Sequence, residues 1–235
     1  MMSASRSLFL ALGTLAALSF GPLLLEASAK EIKKCTTITT PGFYVLKESL
    51  TASGDCIKIT ADYVTFDLDG QTLTGNGTGA GITDDGVTRQ GIVIRNGTIT
   101  NFSDGINLGS STRSLIERIQ AISNGNDGIR VGNTNTLRHN IANGNGGGDG
   151  IEASFNTTIT GNTANNNGET GLEVSLGSAI SYNHANNNSI FGIDAGCSAG
   201  SPSHLLGNTA LFNGPRQAGP NTSSLTNCVT SDNAF

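Results

Sequence analysis

Three acidic residues and one arginine hold the same place in successive copies of a short motif. Asp127-Gly128-Ile129-Arg130-Val131 returns as Asp149-Gly150-Ile151-Glu152-Ala153, as Thr170-Gly171-Leu172-Glu173-Val174, and as Phe191-Gly192-Ile193-Asp194-Ala195. Side chains alternate along a strand, so in Gly-Ile-x-Val the aliphatics face inward and x faces out. Stacked copies would align the x residues in one column: Lys58, Thr83, Asn107, Arg130, Glu152, Glu173 and Asp194. Neighbours in such a column stand about 4.8 Å apart. Carboxylates that close disfavour full ionisation, so one stays protonated or a cation sits between them. Calcium is the natural candidate at Glu152 and Glu173, because it accepts several carboxylate oxygens with loose geometry. Adjacent carboxyls also match the ~5 Å spacing of a retaining glycosidase, and carboxyls two coils apart match the inverting spacing. Arg130, Glu152, Glu173 and Asp194 are therefore the candidate catalytic residues, with Asn107 and Arg130 as candidate substrate contacts. Against this stands an ordinary reading: outward positions on a solvated strand are polar in any acidic protein.

What must position this column is a solenoid. The inward aliphatic recurs at Ile57, Ile82, Ile106, Ile129, Ile151, Leu172 and Ile193, at intervals falling from 25 to 21 residues. Self-similarity at that period marks stacked repeats. Each coil adds short apolar segments bounded by Gly, Asn and Asp, such as Val64-Thr65-Phe66-Asp67-Leu68 and Ile92-Val93-Ile94. These are strand signals, and no helical period appears after the N-terminal apolar run. A leucine-rich horseshoe would need an L-x-x-L-x-L run with a helical segment, which is missing. The expected fold is all-β: a parallel β-helix of about seven coils over residues 57–213, on the order of 35 Å long.

Two Asn columns, Asn140/Asn162/Asn183 and Asn143/Asn165/Asn186, read as structural stacks whose side chains hydrogen-bond between identical positions. Asp104, Asp127 and Asp149 fall just before the anchor glycine and read as corner residues accepting backbone N–H bonds. His139, His184 and His204 share no register and are given no role.

Residues 1–29 read as a signal peptide: Arg6, an apolar run from Leu8 to Leu25, then Ala27-Ser28-Ala29 as the cleavage site. Cleavage would leave an exported chain, secreted or periplasmic, with no further membrane span. Its net charge of −5 is unchanged by the loss of Arg6 and Glu26, which argues against nucleic acid as a partner. Four cysteines allow three connectivities; the local pairing, Cys35 with Cys56 and Cys197 with Cys228, is the one expected, because each pair sits at one end of the array. Export permits such bridges. Residues 30–56 read as an N-terminal cap covering an open strand edge, and 214–235 as a C-terminal cap ending in a loose tail.

The stretch from Val64 to Gly75, followed by Gly-Ile coils with N-x-A-N turns, resembles the right-handed parallel β-helix repeat proteins of the pectate-lyase-like superfamily, over residues ~35–213. The resemblance implies a right-handed helix. It also implies that the outward face of the Gly-Ile strands is where catalytic members hold substrate. Members include polysaccharide lyases, glycoside hydrolases, uronate epimerases and non-catalytic surface proteins. By that resemblance a calcium-bridged uronate beside Arg130 as base would undergo β-elimination. The sequence departs from known catalytic patterns in lacking an R-x-P-x-x-R element, a D-P-H-D run and any Lys near the acidic column. The coils shorten without a long loop to wall a groove. Two readings follow. One is an exported protein that binds, and in its catalytic form cleaves, an acidic or neutral polysaccharide along the Arg130–Asp194 face. The other is a non-catalytic envelope or surface protein that uses its long side as a platform.

Overall fold

The computed structural model describes residues 29–214 and 225–235; the signal-peptide expectation for residues 1–29, save its last residue, and part of the C-terminal segment lie outside them. Among the described residues there is no helix, and strands of two to eight residues wind into a parallel β-helix of about eight turns. Every pairing between these strands is parallel, as stacked coils require.

Each coil presents three faces. The first is an eight-stranded sheet made by Thr36–Ile38, Ile57–Ile59, Ala80–Thr83, Asp104–Leu108, Ile129–Val131, Ile151–Ala153, Leu172–Val174 and Ile193–Ala195. Its register stacks Ile57, Ile82, Ile106, Ile129, Ile151, Leu172 and Ile193 in one fully buried column. The second and third faces belong to one thirteen-stranded sheet bent at a corner. Val93–Thr100 and Leu115–Ile122 run across that corner; the next coil breaks there, into Thr136–Arg138 and Ile141–Asn143. The bend is made by left-handed backbone at Asn96, Arg118, His139, Gly161, Tyr182, Gly207 and Asp232, with φ between 52° and 65°. Such conformations cost bulky residues energy, and the column tolerates them because hydrogen bonds above and below fix it.

The anchor glycines answer to close approach instead. A Cβ at Gly150 would stand 2.7 Å from the Gly171 carbonyl oxygen and 2.6 Å from Asn167 Nδ2, and Gly128 and Gly171 meet the same two obstacles. Only a residue without a side chain lets successive coils close there.

The core narrows along the rod. On the third face the inward column reads Leu73, Ile99, Ala121, Ala142, Ala164, Ala185 and Ala210, all buried. Phe66 and Phe102 fill the wide early coils. A 21-residue coil encloses less space than a 25-residue coil, and dense packing then requires smaller side chains.

Two buried asparagine ladders tie the coils together. Asn140, Asn162, Asn183, Asn208 and Asn233 form the first. In it Asn162 donates from Nδ2 to Leu137 O (3.0 Å) and Asn183 Oδ1 (3.0 Å), while its Oδ1 accepts from Asn140 N and Nδ2. Asn124, Asn145, Asn167, Asn188 and Asn213 form the second, with the same pattern, packed against the anchor glycines. The expected column Asn143/Asn165/Asn186 also stacks, but half-buried at the rod surface, with each amide N–H donating to the side chain one coil earlier.

The count of about eight turns rather than seven has two sources. Residues 30–56, expected as a cap, already wind in register: Lys30–Ile32 pairs with Gly42–Leu46, and Thr36–Ile38 with Ile57–Ile59. At the other end the expected loose tail is ordered into the stack, for Val229–Ser231 pairs with His204–Leu206 and Asn233 extends the first Asn ladder. Disulfides join Cys35 to Cys56 and Cys197 to Cys228, with Cα atoms 4.5 Å and 5.2 Å apart.

Candidate functional site

The first face carries the outward column in strict register. Lys58 stands beside Thr83, Thr83 beside Asn107, and then Arg130, Glu152, Glu173 and Asp194 follow one rung at a time. The flanking aliphatics of each strand point into the core, which forces these side chains outward. Arg130 and Glu173 are exposed and Asn107, Glu152 and Asp194 half-buried. Thr83 departs from the expectation: it is buried, and its hydroxyl accepts the Asp85 N–H at 2.9 Å.

Beneath the column lies a second acidic row at the corner. Asp127 Oδ1 accepts the Asp149 N–H at 2.9 Å, and Asp149 Oδ1 accepts the Thr170 N–H at 2.8 Å. Asp104 takes Asn126 Nδ2 at 2.8 Å and Asn107 Nδ2 at 3.0 Å. Asp127 and Asp149 thus take the backbone N–H bonds expected at the corner, whereas Asp104 mainly holds side-chain amides. The rows also meet each other. The Asp127 and Glu152 carboxyls act on each other, as do those of Asp149 and Glu173, each pair linking one coil to the next. Arg130 Nε closes the lower end, 3.1 Å from Glu152 Oε2.

Burial and crowding hold protons on this array. Asp149 is pushed up to about 8, first by desolvation and then by the neighbouring Glu173 and Asp127 carboxyls. Asp127 and Glu152 are raised as well, again mainly by desolvation, with Arg130 pulling the other way. At neutral pH Asp149 therefore keeps its proton beside the Glu173 carboxyl.

Calcium at Glu152 and Glu173 receives no geometric support, since among the described residues no group of three or more His, Cys, Asp or Glu side chains is placed to hold a metal ion. Two clefts, of about 330 and 220 Å³, lie near the N-terminal end, the first lined by Glu31, Ile32, Lys33, Lys34 and Thr36, the second by residues around the Cys35–Cys56 bridge. Neither reaches the acidic column, which is an open rail.

One constellation escaped the sequence reading. On the second face Asp67, Arg95, Glu117 and Arg138 occupy one outward column. Arg95 Nε meets Asp67 Oδ2 at 2.8 Å, and Glu117, only 4% exposed, receives Arg138 at 2.7 Å and Arg118 at 2.9 Å. The signal was present as alternating charges at the coil period, but no Gly-Ile motif marks that strand.

The family described as "Right handed beta helix region" matches residues 24–190. Among solved structures, the chain is similar to the A-module of mannuronan C-5 epimerase AlgE6 from Azotobacter vinelandii, with 17% identity, a TM-score of 0.57, and coverage of 83% of this chain and 60% of that one. The chain thus spans about 60% of that module. It is also similar to an alginate lyase from Paenibacillus sp. str. FPU-7, with 15% identity, a TM-score of 0.47, and coverage of 85% and 98%. No curated protein matches the sequence.

Proposed function

Since the chain belongs to the right-handed β-helix family, we propose that it is an exported protein that binds a neutral polysaccharide along its first face. The observation that carries this reading is the outward column Asn107–Arg130–Glu152–Glu173–Asp194, held in register at one side chain per rung. A row of hydrogen-bonding groups at ~4.8 Å intervals suits an extended polymer of hydroxyl-bearing units, whose hydroxyls both donate to and accept from such groups. The same acids repel a polyanion, while the charge of Arg130 is offset by Glu152. Export is supported by the N-terminal apolar run and the two disulfides, which belong to oxidising compartments. Among the described residues no helix is long and apolar enough to cross a membrane.

A hydrolytic reading draws on one observation, the raised carboxyl of Glu152. It is half-buried on the outward face, within reach of a bound glycosidic oxygen, and would act as the general acid in this scheme. Glu173, one rung away, would be its partner. Arg130 serves in this scheme as a donor to the ligand.

The test is affinity electrophoresis of the residue 30–235 chain through gels cast with neutral glucans, mannans or xylans. Retardation by at least one, lost in Glu173→Ala/Asp194→Ala, is the expected result. Equal mobility in every gel contradicts the proposal. Release of reducing ends that Glu152→Gln abolishes would add hydrolysis to binding.

A further inference from the structure

We propose that the arginine cluster on the second face docks the acidic rail of a second copy of this chain, so that rods associate side by side in a staggered, open-ended array. The inference goes beyond the polysaccharide reading, because the recognising groups lie on the other face.

Both faces repeat with the same rung, so charges on one meet charges on the other without adjustment. On the second face Asp67, Arg95, Glu117 and Arg138 occupy four successive rungs. Glu117 is buried, and its neighbour Arg118 lies against it, Nη2 standing 2.9 Å from Oε1. That rung therefore presents Arg118, and the outward order of signs is minus, plus, plus, plus. On the first face Arg130, Glu152, Glu173 and Asp194 also hold four successive rungs, in the order plus, minus, minus, minus. Two rods pointing the same way bring Asp67 to Arg130, Arg95 to Glu152, Arg118 to Glu173 and Arg138 to Asp194. Reversing one rod sets Asp67 against Asp194 and Arg138 against Arg130, so the signs select the parallel arrangement. A simple polyanion does not supply this pattern, since its charges are all of one sign.

The guanidiniums are also held ready. Arg118 donates from Nε to Asn96 Oδ1 at 2.7 Å, and Arg138 donates from Nε to Glu117 at 2.8 Å. Arg95 Nε meets Asp67 at 2.8 Å, and its guanidinium lies over the Phe43 ring, 5.6 Å from the centre. Roughly half of Arg118 and Arg138 is open to solvent, as is the exposed Glu173 that would face Arg118. A guanidinium already fixed along one edge gives up little freedom on meeting a carboxylate.

The match also sets the stagger. Asp67 follows Lys58 within one coil, and Arg130 lies three rungs beyond Lys58. Each rod is therefore shifted by about 14 Å against the next. A contact between two different faces that also shifts along the rod does not close into a ring, so it repeats from copy to copy.

Sedimentation velocity of the residue 30–235 chain over a concentration series, at low and at high salt, tests this. Wild type should grow beyond dimers with concentration at low salt and return to monomers at high salt, where surface charges are screened. Arg118→Glu keeps the Arg138–Glu117 pair, and Glu173→Lys alters an exposed side chain. Each reversal should weaken association about tenfold or more, through like charges meeting at one rung. Both reversals in one chain restore opposite charges at that rung and should restore assembly. Wild type that stays monomeric at every concentration in low salt overturns the proposal. So does a double variant no more associated than the singles, when melting curves show all three folded. If Arg118→Glu fails to fold, Glu173→Lys decides alone, and assembly equal to wild type overturns the proposal. Retardation in neutral-glycan gels, read on the folded Arg118→Glu variant with its rail intact, keeps the failure of the two readings distinct.

Discussion

Asp149 accepts the Thr170 N–H with one oxygen and meets Glu173 with its carboxyl, in a place where water barely reaches. Its folded value of about 8 lies above the ~3.9 of an unfolded Asp. Between those values the folded chain holds more protons than the unfolded one, so stability falls as pH rises from about 4 to about 8. Asp149→Asn keeps an acceptor for Thr170 and supplies a permanent donor to Glu173. The variant should gain melting temperature relative to wild type between pH 5 and pH 8.5; parallel curves for the two proteins would show that Asp149 titrates normally. The anchor motif made the outward column readable at residue level, and with it Arg130, Glu152, Glu173 and Asp194. The pairing of that column with the corner aspartates was not readable. Asp127 and Glu152 lie in different coils, and which carboxyl leans on which depends on how the corner turns.

At the scale of the coil, two devices hold the stack: amide ladders inside the corners, and glycines where backbones touch. Asn162→Ala leaves the Leu137 carbonyl and the Asn140 amide groups without partners in a dry interior. A loss of about 2–4 kcal/mol is expected from several buried groups at ~1–3 kcal/mol each, partly relieved by water, measured by urea unfolding. Gly150→Ala pushes a methyl onto the Gly171 carbonyl and Asn167 and should cost a comparable amount, with outright failure to fold as its extreme. Ala164→Leu overfills a narrow coil and should destabilise by about 1–3 kcal/mol. The period and the Asn140 ladder were legible because identical residues recur. The ladder of Asn124, Asn145, Asn167, Asn188 and Asn213 lies in plain view but is hidden among adjacent asparagines, as in Asn165-Asn166-Asn167. Only the direction of the backbone at the corner separates the buried one from its neighbours. The terminal coils were missed because their motifs are degenerate: Thr36–Ile38 lacks the Gly-Ile anchor and Val229–Ser231 has no apolar alternation, yet both complete ladders that the regular coils begin.

For the whole molecule, a rod with an acidic rail on one face and an arginine cluster on another follows from stacking, since each outward position is multiplied into a column. A flat rail without walling loops favours holding a polymer over enclosing one. The measurement that tests this most directly is backbone amide NMR of the isotopically labelled residue 30–235 chain titrated with the neutral polysaccharide fragment that retards it most. The account predicts shift changes confined to Asp104–Leu108, Ile129–Val131, Ile151–Ala153, Leu172–Val174 and Ile193–Ala195, the strands bearing Asn107, Arg130, Glu152, Glu173 and Asp194. Changes centred on other faces, or none at saturating fragment, would contradict it.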